Sequence, residues 1–217
     1  MAHVDRTSIV IVGAGGFGRE VLQYAVETYG AMAHVTIKGF LDDAITDLTL
    51  FGLDVPVLST IDGYTPTADD RVLIAVGDPS TREGLASRLA ARGAAFTSLV
   101  HPRAYLSGTA SIGVGCIVAP FASVGAHATV GDHSVLTFYA SVGHDATVGR
   151  WCALSPHSVA NGASRLGDGV FLGSHAIVNP GQAVGERAKV AAGAVVYRAV
   201  PAHSLAVGNP ARARPTW

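Results

Sequence analysis

The chain has 217 residues, enough for one or two domains with a buried core. Only 14% of its residues are charged and the formal net charge is −1, so no basic field recruits nucleic acid or an anionic membrane, and a small molecule is the expected partner. Because no apolar run reaches the roughly 18 residues of a membrane span and residues 1–8 lack a signal-peptide pattern, we expect a cytoplasmic location.

The chain opens with the pattern of a nucleotide-binding α/β unit. Ser8 to Val12 is a continuous apolar strand that runs into Gly13-Ala-Gly-Gly-Phe-Gly18, and residues 19–29 form a predicted helix. The backbone amides of such a glycine turn could bind the diphosphate of a nucleotide or nucleotide sugar. The G-x-G-x-x-G motif is weak by itself, so a redox dinucleotide site and a purely structural turn remain alternatives.

Further alternating elements complete a predicted Rossmann-like domain over residues 1–100. A helix from Ser80 to Arg92 would be capped by Ser80 or Thr81. Four more strands are predicted, at Val35–Leu41, Val55–Leu58, Arg71–Val76 and Phe96–Val100.

Residues 101–217 follow a different rule, because an aliphatic residue or alanine occupies every sixth position from Leu106 to Val196. A second column, four places after each of these, is almost entirely small and includes both cysteines, Cys116 and Cys152. This is the hexapeptide signature of a parallel β-helix, in which each repeat is one short strand and a turn. Both thiols should therefore be buried core groups and not acyl carriers.

The chain as a whole resembles bacterial sugar acyltransferases of the left-handed β-helix class. The residues that carry the resemblance are the glycine turn, Gly39-Phe-Leu-Asp-Asp43, Ala75-Val-Gly-Asp78, Gly143-His-Asp-Ala-Thr-Val-Gly149 and Val207-Gly-Asn-Pro-Ala-Arg212. The resemblance implies an N-terminal α/β Rossmann-like domain, a left-handed coil, a homotrimer with sites between subunits, and acetyl-CoA as co-substrate with no metal. Its nearest members act on sialic acid hydroxyls or on nucleotide-linked 4-amino sugars.

One histidine of the repeats differs from the other four in phase. Four histidines lie three places after their aliphatic residue, whereas His144 lies two places after Val142. The resemblance implies that His144 is the general base that deprotonates the acceptor and that Asp145 orients its imidazole. A coil of three repeats would stack His144 against Gly162, whose amide the resemblance implies as oxyanion donor. The alternatives are a solvated histidine, a surface carboxylate and a corner glycine with positive φ.

Other site residues are implied by the resemblance. Matches to the coenzyme contacts are Gly162, Gly173, Ala191, Ala192, Gly193 and Arg212, and the predicted contacts to the nucleotide sugar are Gly13, Gly15, Gly16, Asp42 and Asp78. The chain departs from the family at Ala153, where a polar residue or histidine is common.

The sequence therefore predicts acetyl transfer from acetyl-CoA to the 4-amino group of a nucleotide-linked 4-amino-4,6-dideoxyhexose, with GDP-perosamine as the first guess. A sugar O-acetyltransferase is the first alternative. A β-helical zinc hydratase and a non-catalytic solenoid are alternatives of other classes.

Overall fold

The computed structural model describes residues 6–215 and contains an α/β domain followed by a parallel β-helix. The first domain has a four-stranded parallel sheet in the order β3-β2-β1-β4. Its elements are β1 (Thr7–Val12), α1 (Gly16–Tyr29), β2 (Val35–Leu41), a 3₁₀ turn (Thr49–Phe51), β3 (Val57–Ser59), β4 (Asp70–Ile74) and α2 (Pro79–Ala90). Neither helix within residues 6–215 is long and apolar enough to cross a membrane.

This strand order creates a candidate ligand-binding edge. The chain moves from β1 to β2 on one side and then returns to β4 on the other, so β1 and β4 are parallel neighbours. In open α/β sheets, ligands bind beyond the carboxyl ends of the strands at such a switch point. The glycine turn after β1 and the loop 75–78 after β4 both lie at this edge.

Both helices begin at residues other than those predicted. Helix α1 begins at Gly16 and not at Arg19, with Gly15 in an extended conformation as its N-cap. The predicted cap of α2 at Ser80 or Thr81 is wrong, because the Asp78 carboxylate accepts a hydrogen bond from the Thr81 N–H at 2.8 Å. Pro79 occupies the first helical position, where its missing N–H has no cost, and so Asp78 becomes the cap.

The β-helix has three flat faces built mostly from two-residue strands, which pair in parallel with strands 18 residues away, as Val130 pairs with Val148. Face 1 contains Leu99–Val100, Ile117–Val118, Val135–Leu136, Ala153–Leu154, Phe171–Leu172, Lys189–Val190, Ser204–Val207 and the antiparallel Arg212–Pro215. Face 2 contains Tyr105–Leu106, Ser123–Val124, Ser141–Val142, Val159–Ala160, Ile177–Val178 and Val195–Val196. Face 3 contains Ser111–Ile112, Thr129–Val130, Thr147–Val148, Arg165–Leu166 and Ala183–Val184.

The two sequence columns form the core of the coil, as predicted. The aliphatic column and the small column pack in one continuous cluster that includes both cysteines. Cys116 and Cys152 are completely buried, and burial raises the pKa of their thiols to about 11 and about 12. Both thiols are therefore neutral and inaccessible at physiological pH, which agrees with a packing role.

The turns between faces use left-handed backbone at one fixed position. The third residue after the aliphatic residue has a positive φ in successive turns, including His127, His133, His157 and His175. We call the turns from face 1 to face 2, from face 2 to face 3 and from face 3 to face 1 corners 1–2, 2–3 and 3–1. The four in-phase histidines therefore share one backbone position.

The α/β domain packs on face 1 of the coil. Side chains of α1 share one buried cluster with Ile117 and Val135 on the outer side of face 1. The ring of Tyr24 meets Phe138 edge-on, with centroids 5.4 Å apart. The predicted strand over residues 96–100 is divided, because Phe96 bridges Val72 of the α/β sheet whereas Leu99–Val100 is the first rung of face 1.

Candidate active site

His144 lies on corner 2–3, directly after the strand Ser141–Val142. In this turn Asp145 takes the left-handed position, with φ of 59°, and His144 precedes it. His144 therefore lies one place before the left-handed position that the other four histidines occupy, which explains its unusual phase. The imidazole is 72% exposed on the surface of the chain, so it is open to a substrate or to a neighbouring subunit.

The His144 and Asp145 side chains form a hydrogen-bonded pair. Nδ1 of His144 lies 2.8 Å from Oδ2 of Asp145. A carboxylate can only accept a hydrogen bond at neutral pH, so this contact assigns the proton to Nδ1. The lone pair of a neutral imidazole is then on Nε2, which is free to accept a proton. The pair has the arrangement of a general base and its orienting acid.

Gly162 lies against the reactive edge of this imidazole. A Cβ placed on Gly162 would lie 2.6 Å from Nε2 and 2.8 Å from Cε1 of His144. The φ angle of Gly162 is not positive, so the alternative interpretation, a corner glycine with left-handed backbone, is wrong. The close approach of His144 requires glycine here. Within residues 6–215 no protein atom accepts a hydrogen bond from the Gly162 N–H, so this group is available to donate to a ligand.

Apart from Gly162, the predicted coenzyme residues lie away from corner 2–3. Gly173 and the segment 191–193 belong to corner 1–2, at the opposite edge of face 2 from His144. A Cβ on Gly173 would lie 2.6 Å from the Ala192 backbone nitrogen, so the next coil passes directly over it. Arg212 is exposed and begins the last strand of face 1, opposite Val207. Of the proposed coenzyme contacts, one chain therefore brings only Gly162 to the corner of the proposed base.

The predicted sugar-nucleotide residues gather at the switch point of the α/β sheet. Gly13 has φ of 96°, and a Cβ there would lie 3.0 Å from the Ala75 carbonyl oxygen, so the two loops pass close together. Gly15 and Gly16 begin α1, and a Cβ on either would meet no atom within 4 Å. The turn thus presents open backbone at a helix N-terminus, where anions bind.

The carboxylates of both predicted aspartates accept hydrogen bonds from nearby backbone N–H groups. Asp42 accepts the Ala14 N–H at 2.7 Å and the N–H groups of Ala44 and Ile45. Burial opposes its ionisation, but these three hydrogen bonds hold the pKa of Asp42 below its ordinary value. At Asp78 the Thr81 N–H is the main cause that lowers the pKa to about 2. Each carboxylate is therefore anionic and shapes a loop of the ligand-binding edge.

A small apolar recess opens between the two domains, and sequence reasoning missed it. Its volume is about 70 Å³, and Phe17 and Gly77 of the α/β domain line it opposite Ala153 and Phe171 of face 1. Ala153, the position where the chain departs from the family, faces this recess and not the imidazole. Only the docking of one domain on the other creates the recess, so no local sequence signal identifies it.

Three other histidines of the coil, His133, His157 and His175, lie at corners away from His144. His133 is buried, its pKa is lowered by burial, and its ring stacks on Trp151 with centroids 4.2 Å apart. His157 and His175 stack with Tyr139 in an exposed ladder along corner 1–2. Within the described part of the chain, no three histidine, cysteine or acidic side chains are grouped so that they could hold a metal.

Comparisons with known proteins agree with this architecture. The family model of the PglD N-terminal domain matches residues 8–89. WeeI from Acinetobacter baumannii AYE is 29% identical, with a TM-score of 0.86, over 96% of this chain and 100% of its own. The acetyltransferase domain of PglB from Neisseria gonorrhoeae FA1090, solved with acetyl coenzyme A, is 28% identical, with a TM-score of 0.86 and coverage of 96% and 100%. The protein is an acyltransferase.

A third similar structure is that of a mutant perosamine N-acetyltransferase from Caulobacter crescentus in complex with CoA and GDP-perosamine. It is 29% identical, with a TM-score of 0.85, over 96% of this acyltransferase and 97% of its own chain. A search of curated proteins finds no match. The likeness to these enzymes extends through both domains, so it includes the ligand-binding edge of the α/β sheet as well as the coil.

Proposed function

We propose that this acyltransferase transfers the acetyl group of acetyl-CoA to the 4-amino group of a nucleotide-linked 4-amino-4,6-dideoxyhexose, with GDP-perosamine as the first candidate. The observation that carries the proposal is the triplet His144, Asp145 and Gly162. It combines a base with a free Nε2, an acid on Nδ1, and a glycine whose N–H has no acceptor in residues 6–215. The similar enzymes solved with acetyl coenzyme A, or with CoA and GDP-perosamine, support the choice of substrates.

The chemistry assigned to this triplet is direct transfer. The acceptor nitrogen attacks the thioester carbonyl carbon while Nε2 of His144 takes one proton from that nitrogen. The Gly162 N–H donates to the oxyanion of the tetrahedral intermediate. When the carbon–sulfur bond breaks, the thiolate of CoA leaves and receives the proton from Nε2. Asp145 stabilises the imidazolium that exists between these two steps.

A cysteine intermediate has no place in this scheme. Cys116 and Cys152 are 0% exposed in the core of the coil, and burial raises the pKa of both thiols. A thiol that is neutral and out of reach of the substrate cannot accept the acetyl group.

The proposed assembly is a homotrimer with the site between subunits. His144 and Gly162 lie at corner 2–3, whereas Gly173 and residues 191–193 lie at corner 1–2, so a complete site needs the corners of two chains. Face 2 lies between these corners and presents outward side chains that the α/β domain does not cover. Its last three rungs place Val159, Ile177 and Val195 on this outer side, which favours burial against another copy.

The α/β domain is proposed to bind the nucleotide sugar through Gly13, Gly15, Gly16, Asp42 and Asp78. The open helix N-terminus at Gly15 and Gly16 is suited to the diphosphate. Asp42 and Asp78 shape the two loops around it. On the coil, Gly173, Ala191, Ala192, Gly193 and Arg212 are proposed to contact the coenzyme.

The test is thioester consumption with a panel of UDP-, GDP- and dTDP-linked 4-amino sugars, followed by mass spectrometry of the product. We expect one nucleotide series to be acetylated at nitrogen, as shown by an amide that resists hydroxylamine. A product that hydroxylamine cleaves is an ester and would assign an O-acetyltransferase. Failure to bind acetyl-CoA in calorimetry would remove the acyltransferase mechanism altogether.

A further inference from the structure

Arg82 of α2 is the largest fully buried side chain, and its guanidinium has no carboxylate partner within residues 6–215. All of its hydrogen-bond acceptors are backbone carbonyl oxygens, at 2.6–3.0 Å. A guanidinium has five N–H donors in a rigid plane, and the five contacts use all three of its nitrogen atoms. Burial lowers the pKa of Arg82 to about 10, so the group is still a cation at neutral pH.

The five carbonyls come from both domains. Nη1 donates to Val76 and Gly77 in the loop after β4, at 2.6 and 3.0 Å. The other two nitrogens reach the coil: Nε donates to His133 at 2.8 Å, and Nη2 donates to Trp151 and Cys152 at 2.8 and 3.0 Å. One side chain therefore joins the ligand-binding edge of the α/β domain to the β-helix.

The attachment on the coil is rigid. His133 and Trp151 occupy the left-handed position of corner 3–1 in successive coils, with φ of 56° and 62°. Their rings stack with centroids 4.2 Å apart and planes 4° from parallel, and Phe96 meets His133 edge-on. The carbonyls that receive Arg82 are thus set by the repeat and cannot shift without disturbing adjacent coils.

The attachment on the α/β domain faces the glycine turn. A Cβ on Gly13 would lie 3.2 Å from the Val76 side chain, so the loop and the turn are in contact. Gly77 lines the interdomain recess together with Phe17 of the first turn of α1. A change in the position of residues 76–77 therefore changes the wall of the proposed acceptor site.

We propose that Arg82 is a positioning residue that sets the location of the nucleotide sugar by bridging the Val76–Gly77 carbonyls to corner 3–1 of the coil. This inference rests on the proposed function, in which the acceptor binds at the glycine turn. Attack on the thioester requires the acceptor nitrogen to be placed to within a fraction of an ångström, and a displacement of about 1 Å costs about 100-fold in rate. Lysine cannot replace the bridge, because its single ammonium lacks the planar fork.

The experiment compares Arg82→Lys and Arg82→Met with Arg88→Lys as the matched control. Arg88 lies on the same helix but is exposed, and its Nε donates to Asp62 at 3.1 Å. For each variant, kcat and KM are measured separately for the nucleotide sugar and for acetyl-CoA, together with the melting temperature and the acetyl-CoA dissociation constant. We expect Arg82→Lys to lower kcat/KM for the nucleotide sugar by about 10- to 100-fold, with the acetyl-CoA dissociation constant within about twofold of wild type. Arg88→Lys should match wild type throughout.

The outcomes separate this inference from the proposed function. A folded Arg82→Lys variant with wild-type kinetics for the nucleotide sugar overturns the positioning role, while turnover by the wild type keeps the proposed function. Weaker acetyl-CoA binding in Arg82→Lys, together with a lower melting temperature, would make Arg82 a merely structural residue and would also overturn it. If Arg82→Met does not fold, Arg82→Lys, which retains the charge, decides the question. An inactive wild type contradicts the proposed function and this inference together.

Discussion

Replacing Gly162 by alanine should disable the enzyme without unfolding it. The added Cβ would lie 2.6 Å from Nε2 of His144, whereas carbon contacts in proteins begin at about 3.5 Å. The imidazole must therefore move by roughly 1 Å, a displacement that costs about 100-fold in rate at a catalytic group. Because this ring is 72% exposed, it can rotate into solvent and the coil is not strained.

The stability of the Gly162→Ala variant should rise slightly although its activity falls. Gly162 does not have a positive φ, so alanine fits its backbone and reduces the entropy of the unfolded chain, which stabilises a protein by about 0.4–1 kcal/mol. The matched control is Gly108→Ala. Gly108 occupies the same turn position three coils earlier, and a Cβ there would meet nothing within 4 Å.

The assay is thioester release at saturating concentrations of both substrates, with melting temperatures measured in parallel. We expect both alanine variants to melt at or slightly above the wild-type temperature and only Gly162→Ala to lose kcat, by about 100-fold. The alanine variant retains the backbone N–H, so a loss points to the displaced base. Wild-type kcat in Gly162→Ala, or an equal loss in Gly108→Ala, would refute the reasoning.

Two further predictions concern buried and capping groups. Cys152→Ser should keep full activity, since its hydroxyl can donate to the Gly167 carbonyl as the thiol does at 3.1 Å; an acetylated cysteine trapped during turnover would contradict direct transfer. Asp78→Ala should lower the free energy of unfolding by about 1 kcal/mol at pH 7, the usual value of an N-cap. The pKa of Asp78 is about 2 in the folded protein, below an unfolded value of about 3.9, so this contribution is complete above pH ~4 and is lost as the pH falls through about 2. Urea unfolding at pH 7 and pH 3 checks this, and an equal gap between variant and wild type at both pH values would count against it.

The repeat was predicted from the sequence because the packing requirement behind it is local and recurs every six residues. Each aliphatic residue must point inward for its own coil to close, so one phase error would expose an apolar side chain. Sixteen repeats in one phase therefore indicate the core directly, and both cysteines lie where the phase predicts. The phase also separated His144 from the histidines at the left-handed position.

Element ends and long-range contacts were less accessible to sequence reasoning. The start of α2 depends on whether Asp78 or Ser80 acts as the N-cap, and both residue types are good caps. The strand predicted at residues 96–100 was divided because its two ends pair with different sheets. The local sequence permits either N-cap and either strand pairing, and contacts with the packed neighbours decide between them.

The contacts of Arg82 had no sequence signal at all. Its acceptors at His133 and Trp151 lie 51 and 69 residues away and are backbone atoms, so residue identity does not reveal them. The separation of Gly173 from His144, in contrast, could have been read from the repeat, because the two residues are not a whole number of three-repeat coils apart. Sequence reasoning grouped these residues by their shared role in the resemblance, whereas the coil places them at opposite edges of face 2.

The central claim is that His144 deprotonates an amine in direct attack on the thioester. The measurement that tests it most directly is the single-turnover rate of amide formation in wild type, in His144→Asn and in His127→Asn. His127 is an exposed histidine on the same corner, and asparagine accepts its left-handed φ of 57°. We predict an amide product, a loss of at least about 100-fold in His144→Asn and no loss in His127→Asn. An unchanged rate in His144→Asn would contradict the account.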